Sequence, residues 1–345
     1  MPPISAVDAI TPAVQRTRSF LFQPFRLSTY LKLSLVAVIT EGCGANFNFT
    51  TPSFPTSSRS HFTAAPFHFT PAIITALTLA GIACFLIAFL VFYLVTRLRF
   101  AYFHCLVHNT RQIRPGWHLY RNPANRFFWL NVVVSIFLLL FAILLALPFL
   151  AGFWKNFHLT PHGSQPNPGV VLTLFLTAIP VILLFALVAF STQVILRDFM
   201  LPHYALENAT AGQAWQAAWA RIRAEKMPFF IYALLRFILP IAAAITLFIG
   251  LIIPALIIAL VGIFLGIGIH SAIIAAGAAK LTALLVDILI GLIAFLILAI
   301  LAIAVGGPLS TAIRQYALVF YGARYTPLGN LLYPPPPEPA ILPQT

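Results

Sequence analysis

Asp287 is the residue whose position most strongly suggests chemistry, because it is the only acid inside a long apolar run, Leu281–Gly306. An ionisable group at membrane depth is costly and often marks an ion or proton pathway. Asp287 also lies only six residues from the start of that run, from where its carboxylate can reach water or Lys280. The sequence leaves both interpretations open, a polar site within the membrane and a boundary residue.

Arg236 is a second ionisable residue in an apolar stretch, eight residues into the run that begins at Pro228. A long arginine side chain can extend to lipid headgroups, and we favour this interpretation over contact with a substrate. The alternative is an ion pair with Asp198 or Glu207.

Histidine and cysteine spacing does not predict a metal site. His104 and His108 are four residues apart, so a helix would place them on one face, but zinc needs three or four ligands. The three cysteines form no Cys-x-x-Cys pair, and no glycine loop for phosphates or dinucleotides is present. With 7 acidic residues in the whole chain, we expect no cofactor and no enzymatic activity.

The composition is that of a membrane protein. Of the 345 residues, 61% are hydrophobic and 8% are charged, whereas a soluble domain carries about 25% charged residues. A surface so poor in charge is stable against lipid tails rather than water. The net charge of +13 would suggest nucleic acid in a soluble protein, but basic residues collect in the cytoplasmic loops of membrane proteins. We therefore expect no nucleic-acid binding.

Long apolar runs predict an all-α polytopic bundle of about six membrane-embedded helices, because only a helix satisfies its own backbone hydrogen bonds in lipid. The runs longer than the roughly 20 residues that cross a bilayer are Pro71–Thr96, Phe127–Phe153, Gly169–Leu196 and Leu281–Gly306. The run Pro228–Ile269 has 42 residues, too many for one span at about 1.5 Å per residue. Gly250 and Pro254 predict a break, which makes Leu251–Ile269 a second embedded piece. The short, basic segment Phe25–Thr40 either spans the membrane or lies at its surface.

Basic residues divide the connections into two classes. Sixteen of the 20 Lys and Arg residues lie in the first 32 residues, in Arg97–Arg126, in Arg197–Lys226, or at Arg314 and Arg324. By the positive-inside rule these segments face the cytoplasm. Both termini are then cytoplasmic.

The same basic segments contain Trp, whose ring suits the headgroup region, and each arginine near anionic lipid gains about 1 kcal/mol. The residues predicted to bind lipid or a membrane partner on this basic, aromatic face are Arg97, Arg121, Arg126, Trp117, Arg197, Trp215, Trp219 and Arg223. Gly262 and Gly266 have the spacing that lets two membrane helices approach closely. They predict packing within the bundle or self-association.

A weak internal repeat, with an offset of 102 residues, aligns Trp117 with Trp219. Each unit has a span that ends at an arginine, then a short interfacial helix, predicted over Ala211–Lys226 in the second unit. The repeat predicts three hairpins, formed by Phe25–Thr40 with Pro71–Thr96, Phe127–Phe153 with Gly169–Leu196, and Pro228–Gly250 with Leu281–Gly306.

Three regions are expected along the chain. Residues 1–23 form a flexible N-terminal segment, residues 24–332 a transmembrane helical domain, and residues 333–345 a disordered, Pro-rich tail. Four consecutive prolines, Pro334 to Pro337, favour an extended polyproline conformation in that tail.

Short motifs resemble those of uncharacterised bacterial multi-pass membrane families, and most of all the membrane domain attached to some glycerophosphodiester phosphodiesterases. The segments that carry the resemblance are Phe25-Arg26-Leu27, Tyr30-Leu31-Lys32-Leu33, Arg197-Asp198-Phe199 with Trp215 and Trp219, and Arg314-Gln315-Tyr316-Ala317-Leu318. The resemblance implies an integral protein of the cell inner membrane. The phosphodiesterase catalytic domain is absent, so that activity is not implied.

Two functional hypotheses follow. We favour a non-enzymatic membrane protein that binds lipid or a membrane partner through its basic, aromatic face. The alternative is a transporter of a small solute, in which Asp287 and the broken segment near Gly250 line the path.

Overall fold

A computed structural model of the chain describes residues 4–42, 71–158, 168–276 and 280–334. These residues contain no strand, so the predicted all-α class is confirmed. The helices are α1 (Ile10–Phe22), α2 (Leu27–Ala37), α3 (Pro71–Val107), α4 (Ile113–Leu119), α5 (Arg121–His158), α6 (Pro168–Val194), α7 (Leu201–Leu206), α8 (Ala211–Ala224), α9 (Lys226–Ala275), α10 (Lys280–Gly322) and α11 (Thr326–Leu332). Two π-helical turns, Val38–Gly42 and Ile195–Met200, continue α2 and α6.

Within the described ranges, five helices are long and apolar enough to cross a membrane, by length and composition. They are Ile73–Val107, Arg121–Gly152, Leu172–Leu206, Lys226–Ala275 and Leu281–Gly322. Their apolar side chains stay largely exposed in the protein itself, as expected of surfaces that are covered by lipid. The protein is therefore a multi-pass membrane protein.

Helix α9 runs unbroken through Gly250 and Pro254, so the predicted break is wrong. A proline removes one backbone hydrogen bond, and membrane helices tolerate this loss because their surroundings satisfy the freed groups. Leu251–Ile269 is therefore part of α9 and not a separate embedded piece. The 50 residues of α9 extend about 75 Å, and α9 packs along α10 as a hairpin.

Segment Phe25–Thr40 is not a span of its own. It consists of α2 and part of the first π-helical turn, and its main neighbour is α10 rather than the predicted partner Pro71–Thr96. The Tyr30 hydroxyl donates a hydrogen bond to the carbonyl of Ala304, at 2.6 Å. The second predicted hairpin pairs as expected, α5 with α6. Helix α9 also pairs with α10, but Leu281–Gly306 lies along the second half of α9, since His270 contacts Asp287 and Gly250 lies beside Val305. The predicted partner Pro228–Gly250 lies instead along the later part of α10, where Tyr232 stacks on Tyr316.

The buried core lies at one end of the bundle, where α3, α6 and α10 end and α5 and α9 begin. We call this end the base. Helix α3 shows the boundary, because its apolar side chains are exposed as far as Leu94 whereas Phe100, Tyr102 and Phe103 are at most 1% exposed. The shorter helices α1, α2, α4, α7, α8 and α11 surround this core. Large aromatic side chains fill the base, and lipid-facing aliphatic side chains dominate the rest.

The chain termini also pack in the base. Residues 1–23 are expected from sequence to be flexible, yet residues 10–22 form α1, whose Phe20 and Leu21 are buried. Helix α11 packs against the end of α10 that lies in the base. Most of the Pro-rich tail and the triplet Asn48-Phe49-Thr50 lie outside the described residues.

The repeat is visible in the turns that follow α3 and α7. Asn109 and Asn208 both adopt a left-handed conformation with φ of 52°, which Asn tolerates better than most residues. Trp117 and Trp215 are each the fifth residue of the helix after the turn. Trp117 therefore corresponds to Trp215, and the offset of 102 residues that pairs it with Trp219 is wrong at this position.

Helix α4 packs back along α3 because Gly116 permits a close approach. A Cβ atom at position 116 would lie 2.8 Å from the Cβ of His104 and 3.0 Å from the Cα of Ala101. This packing brings Trp117 back to the level of Arg97. In the second unit, Ala214 and Ala218 provide the small, fully buried face of α8.

Candidate functional site

Six charged side chains from five separate segments meet inside the base, and we call them the ion cluster. They come from the π-helical turn after α2, from α3, from the π-helical turn after α6, from α9 and from α10. The members are Glu41, Arg99, Arg197, Asp198, Arg236 and Arg314.

Asp198 receives three hydrogen bonds in the middle of this cluster. Arg236 Nε lies 2.9 Å from Oδ2, and the Tyr232 hydroxyl donates to the same oxygen at 2.8 Å. Arg314 Nη1 donates to Oδ1 at 3.0 Å. With a side chain that is 0% exposed, Asp198 is held by charge-assisted bonds, which are about twice as strong as neutral ones.

Glu41 is the second carboxylate. Its Oε2 lies 3.2 Å from Arg197 Nη2 and 3.2 Å from Arg236 Nη2, and its Oε1 lies 3.9 Å from Arg314 Nε. Burial by itself raises the pKa of Glu41, but the arginines around it, with Arg197 first, outweigh burial and lower the pKa to about 2. Glu41 is therefore ionised at neutral pH.

The carbonyl of Thr40 accepts hydrogen bonds from two arginines. Arg197 Nη2 donates to it at 2.8 Å, and Arg99 Nε donates at 3.1 Å. The last carbonyls of a helix lack partners within the helix, and cations are favoured at that end. The end of the α2 segment is thus capped by side chains from α3 and from the π-helical turn after α6.

Sequence reasoning found only part of this cluster. The ion pair of Arg236 with Asp198 is one of the interpretations given for Arg236, and the structure supports it over extension to headgroups. Arg197, predicted on an exposed face, is only 6% exposed. The cluster members Glu41, Arg99 and Arg314 were not among the predicted site residues.

The missed arginines Arg99 and Arg314 share a spacing in the sequence, since each follows a threonine by three residues, Thr96 and Thr311. Only the structure shows that both threonines are fully buried. The residue predicted from sequence to bind lipid is Arg97 instead, and residues two apart on a helix point in nearly opposite directions. Arg99 consequently enters the cluster, whereas Arg97 remains on the surface.

The predicted basic, aromatic face is formed by two cation–π groups at the border of the base. The guanidinium carbon of Arg97 lies 4.4 Å from the centre of the Trp117 ring. That of Arg223 lies 5.2 Å from the Trp219 ring, which stacks on Trp215 with ring centres 5.7 Å apart. The predicted residues Arg121 and Arg126 are exposed near the start of α5.

A family of unknown function, DUF7544, matches residues 4–331. The chain belongs to this family. The match spans both the ion cluster and the basic face. No curated protein matches this chain, and no solved structure matches it. The resemblance to the phosphodiesterase membrane domain is not supported by the family match.

Asp287, in this DUF7544 protein, pairs with His270 across the α9–α10 hairpin. Their Oδ2 and Nδ1 atoms are 2.7 Å apart, and the two side chains are 37% and 43% exposed. The pair lies near the end of the hairpin farthest from the base, since α9 ends at Ala275. Asp287 therefore contacts neither the ion cluster nor the basic face.

Gly262 and Gly266 do not mediate packing within the described part of this DUF7544 chain. A Cβ atom at either position would meet no atom within 4 Å.

The rings of His104 and His108 lie with centres 4.5 Å apart, and the described residues contain no group of three or more side chains suited to a metal.

Proposed function

We propose that this DUF7544 protein binds anionic lipid headgroups through the basic, aromatic face at the border of its base, as a non-enzymatic membrane protein. The observation that carries the proposal is the pairing of arginine with tryptophan at that border, Arg97 on Trp117 and Arg223 on Trp219. A Trp ring anchors in the headgroup region, and the stacked guanidinium keeps donors for a phosphate.

The position of these pairs supports the proposal. Arg97 lies where α3 passes from its exposed apolar part into the buried base. A bilayer that covers the exposed part of α3 places its headgroups at this level. Each arginine near an anionic leaflet contributes about 1 kcal/mol, so a face with several arginines gains enough to retain anionic lipid.

The base is proposed to face the cytoplasm, with both termini on that side, in the cell inner membrane. The support is the excess of arginine over acid in the connections that gather there, as the positive-inside rule requires. Arg111, Arg114 and Arg121 all lie in one such connection.

The competing hypothesis, a transporter that uses Asp287, has less support. Its main structural premise, a break near Gly250, is absent from α9. Asp287 has His270 as a hydrogen-bond partner, and transporter sites typically lie near the bilayer midplane at discontinuous helices.

A quenching experiment tests the lipid-binding proposal. The full chain is reconstituted in vesicles that contain phosphatidylglycerol or phosphatidylcholine with brominated acyl chains, and tryptophan fluorescence is recorded. We expect brominated phosphatidylglycerol to quench more strongly than phosphatidylcholine at equal mole fraction. The double variant Arg97→Gln/Arg223→Gln should lose that preference.

The matched control is Arg18→Gln, which removes an exposed arginine on α1 that belongs to neither cation–π group. It should keep the preference for phosphatidylglycerol. Equal quenching by the two lipids in the wild-type protein would refute the proposal.

A further inference from the structure

Helices α5 and α6 leave an apolar groove open between them, in the part of their hairpin that lies away from the base. The groove has a volume of about 580 Å³, which is within the range of roughly 300–1,000 Å³ that ligand sites occupy. Every residue that lines it in the described part of the chain is aliphatic or aromatic. Because a polar group without a hydrogen-bond partner is costly in such surroundings, the groove suits a ligand that presents only hydrocarbon to its walls.

The groove exists because the facing surfaces of α5 and α6 do not close on each other. On α5, the residues at positions 142, 145, 146 and 149 recur at helical spacing and so lie on one face, and all four remain partly exposed. The facing residues of α6 are partly exposed as well, and they are Leu174, Ala178, Val181 and Phe185. Alanine at positions 142, 146 and 178 leaves the space that larger side chains would fill.

The two helices touch at both ends of the groove. At the end nearer the base, the rings of Phe141 and Phe185 lie with centres 6.3 Å apart. At the far end, a Cβ atom at Gly152 would lie 3.1 Å from Cδ2 of Leu174. The open stretch of α5 between these contacts, residues 142–150, extends about 12 Å. A spanning helix of a partner protein is about 10 Å wide and crosses a hydrocarbon core of about 30 Å, so the groove is too short to seat one.

Two exposed tryptophans of α5 mark the position of the groove in the bilayer. Trp129 lies at the start of the exposed part of α5, and Trp154 lies near its far end. The rise of the helix between them is about 38 Å, which places both rings at the two headgroup regions that tryptophan prefers. The groove begins about 20 Å from Trp129 and ends about 6 Å from Trp154. It therefore lies in the half of the bilayer opposite the base, directly below the headgroups of that leaflet.

We propose that this groove binds the acyl chain of a phospholipid from the leaflet opposite the base. A chain of that leaflet starts at the headgroup level marked by Trp154 and extends towards the bilayer midplane, which is the direction in which the groove runs. The bound chain supplies the dispersion contacts that an open groove lacks, and it needs no hydrogen bond. This inference does not rest on headgroup binding at the basic, aromatic face, because that face lies on the other side of the bilayer.

Photocrosslinking of the full chain in phosphatidylcholine vesicles tests the proposal. The vesicles contain a small fraction of phosphatidylcholine with a diazirine in one acyl chain, placed at mid-chain in one probe and at the chain end in the other. After irradiation, the labelled residues are located by digestion and mass spectrometry. We expect the mid-chain probe to label Leu145, Phe149 and Val181 severalfold more than Leu77, an exposed residue of α3 that lies outside the groove.

Two variants that add the same ring to α5 separate the groove from the general lipid-facing surface. Ala146→Phe places the ring inside the groove and should reduce the labelling of Phe149 and Val181 severalfold, with no change at Leu77. Ala151→Phe places the ring on an exposed part of α5 outside the groove. This second variant should be labelled as the wild type is.

Several outcomes would overturn this inference. Equal labelling of the groove and of Leu77 in the wild type is one, and it requires no variant to fold. Unchanged labelling in a folded Ala146→Phe variant is another. Labelling of the groove by the chain-end probe alone would assign it to a chain that reaches across from the leaflet on the side of the base. If neither probe labels the groove and the same sample is dimeric, the surface is instead occupied by a second copy of the chain.

Discussion

Arg236 on α9 donates from Nε to Asp198 Oδ2 at 2.9 Å, across 38 residues of sequence. Both side chains are buried, and Asp198 also accepts a hydrogen bond from Arg314 of α10. A single carboxylate thus ties three membrane helices together at the level where they enter the base.

Asp198→Asn should destabilise the protein strongly. The variant leaves Arg236 and Arg314 in a buried site without their carboxylate, and breaking a buried ion pair in this way costs about 3–5 kcal/mol. We expect a clear fall in the midpoint of thermal or denaturant unfolding of the detergent-solubilised chain.

The control for Asp198→Asn is Glu225→Gln. Glu225 pairs with Arg324 at 2.7 Å, but its side chain is 36% exposed, and partly exposed pairs contribute about 1 kcal/mol or less. The unfolding midpoint of Glu225→Gln should stay close to that of the wild type. Equal losses in the two variants would show that burial of Asp198 adds nothing to the pair.

The stabilisation provided by Glu41 should depend on pH. The folded protein holds the pKa of Glu41 at about 2, below the ordinary value of 4.5. Because the folded pKa is depressed, this stabilisation is fully present above about pH 4.5 and is lost as the pH falls through about 2. The shift corresponds to about 3 kcal/mol.

The measurement compares the unfolding free energies of the wild type and Glu41→Gln over that pH range. The difference between them should be largest above pH 4.5 and should shrink steadily towards pH 2. A difference that stays constant across the range would contradict the depressed pKa, because Gln mimics only the protonated carboxyl group.

Gly307→Ala should disrupt the packing of α2 on α10. A Cβ atom at position 307 would collide with Cβ and Oγ of the buried Ser34, and overpacking of this kind costs about 1–3 kcal/mol. We expect a lower unfolding midpoint than in the wild type.

Gly291→Ala is the matched control on the same helix. A Cβ atom at position 291 meets nothing within 4 Å, so the better helix propensity of alanine should leave the midpoint unchanged or raise it slightly. If Gly307→Ala is as stable as Gly291→Ala, α2 does not pack against α10 as described.

Cysteine labelling checks the orientation of the base. A cysteine introduced as Arg114→Cys lies in the exposed connection between α3 and α5, and one introduced as Trp154→Cys lies near the far end of α5. In intact cells, an impermeant thiol reagent should label the second variant and not the first. Labelling of both after permeabilisation is the control for accessibility, and the reverse pattern in intact cells would place the base outside.

The sequence by itself determined the membrane class, the approximate limits of the long helices and the end at which basic residues collect. Each of these is a local property. Hydrophobicity over about 20 residues decides whether a helix can span the membrane. The basic residues next to that helix decide which side of the membrane the adjoining connection faces. The breaks were less well determined, because Pro254 is compatible both with a break and with a continuous membrane helix.

The tertiary structure alone decided which charges are paired. Arg236 meets Glu41 across 195 residues of sequence, and no local pattern encodes a contact at that separation. Whether Arg97 or Arg99 turns inward depends on the rotation of α3 against its neighbours, which packing fixes and composition does not. The base and its ion cluster therefore became visible only when five separate segments were placed together.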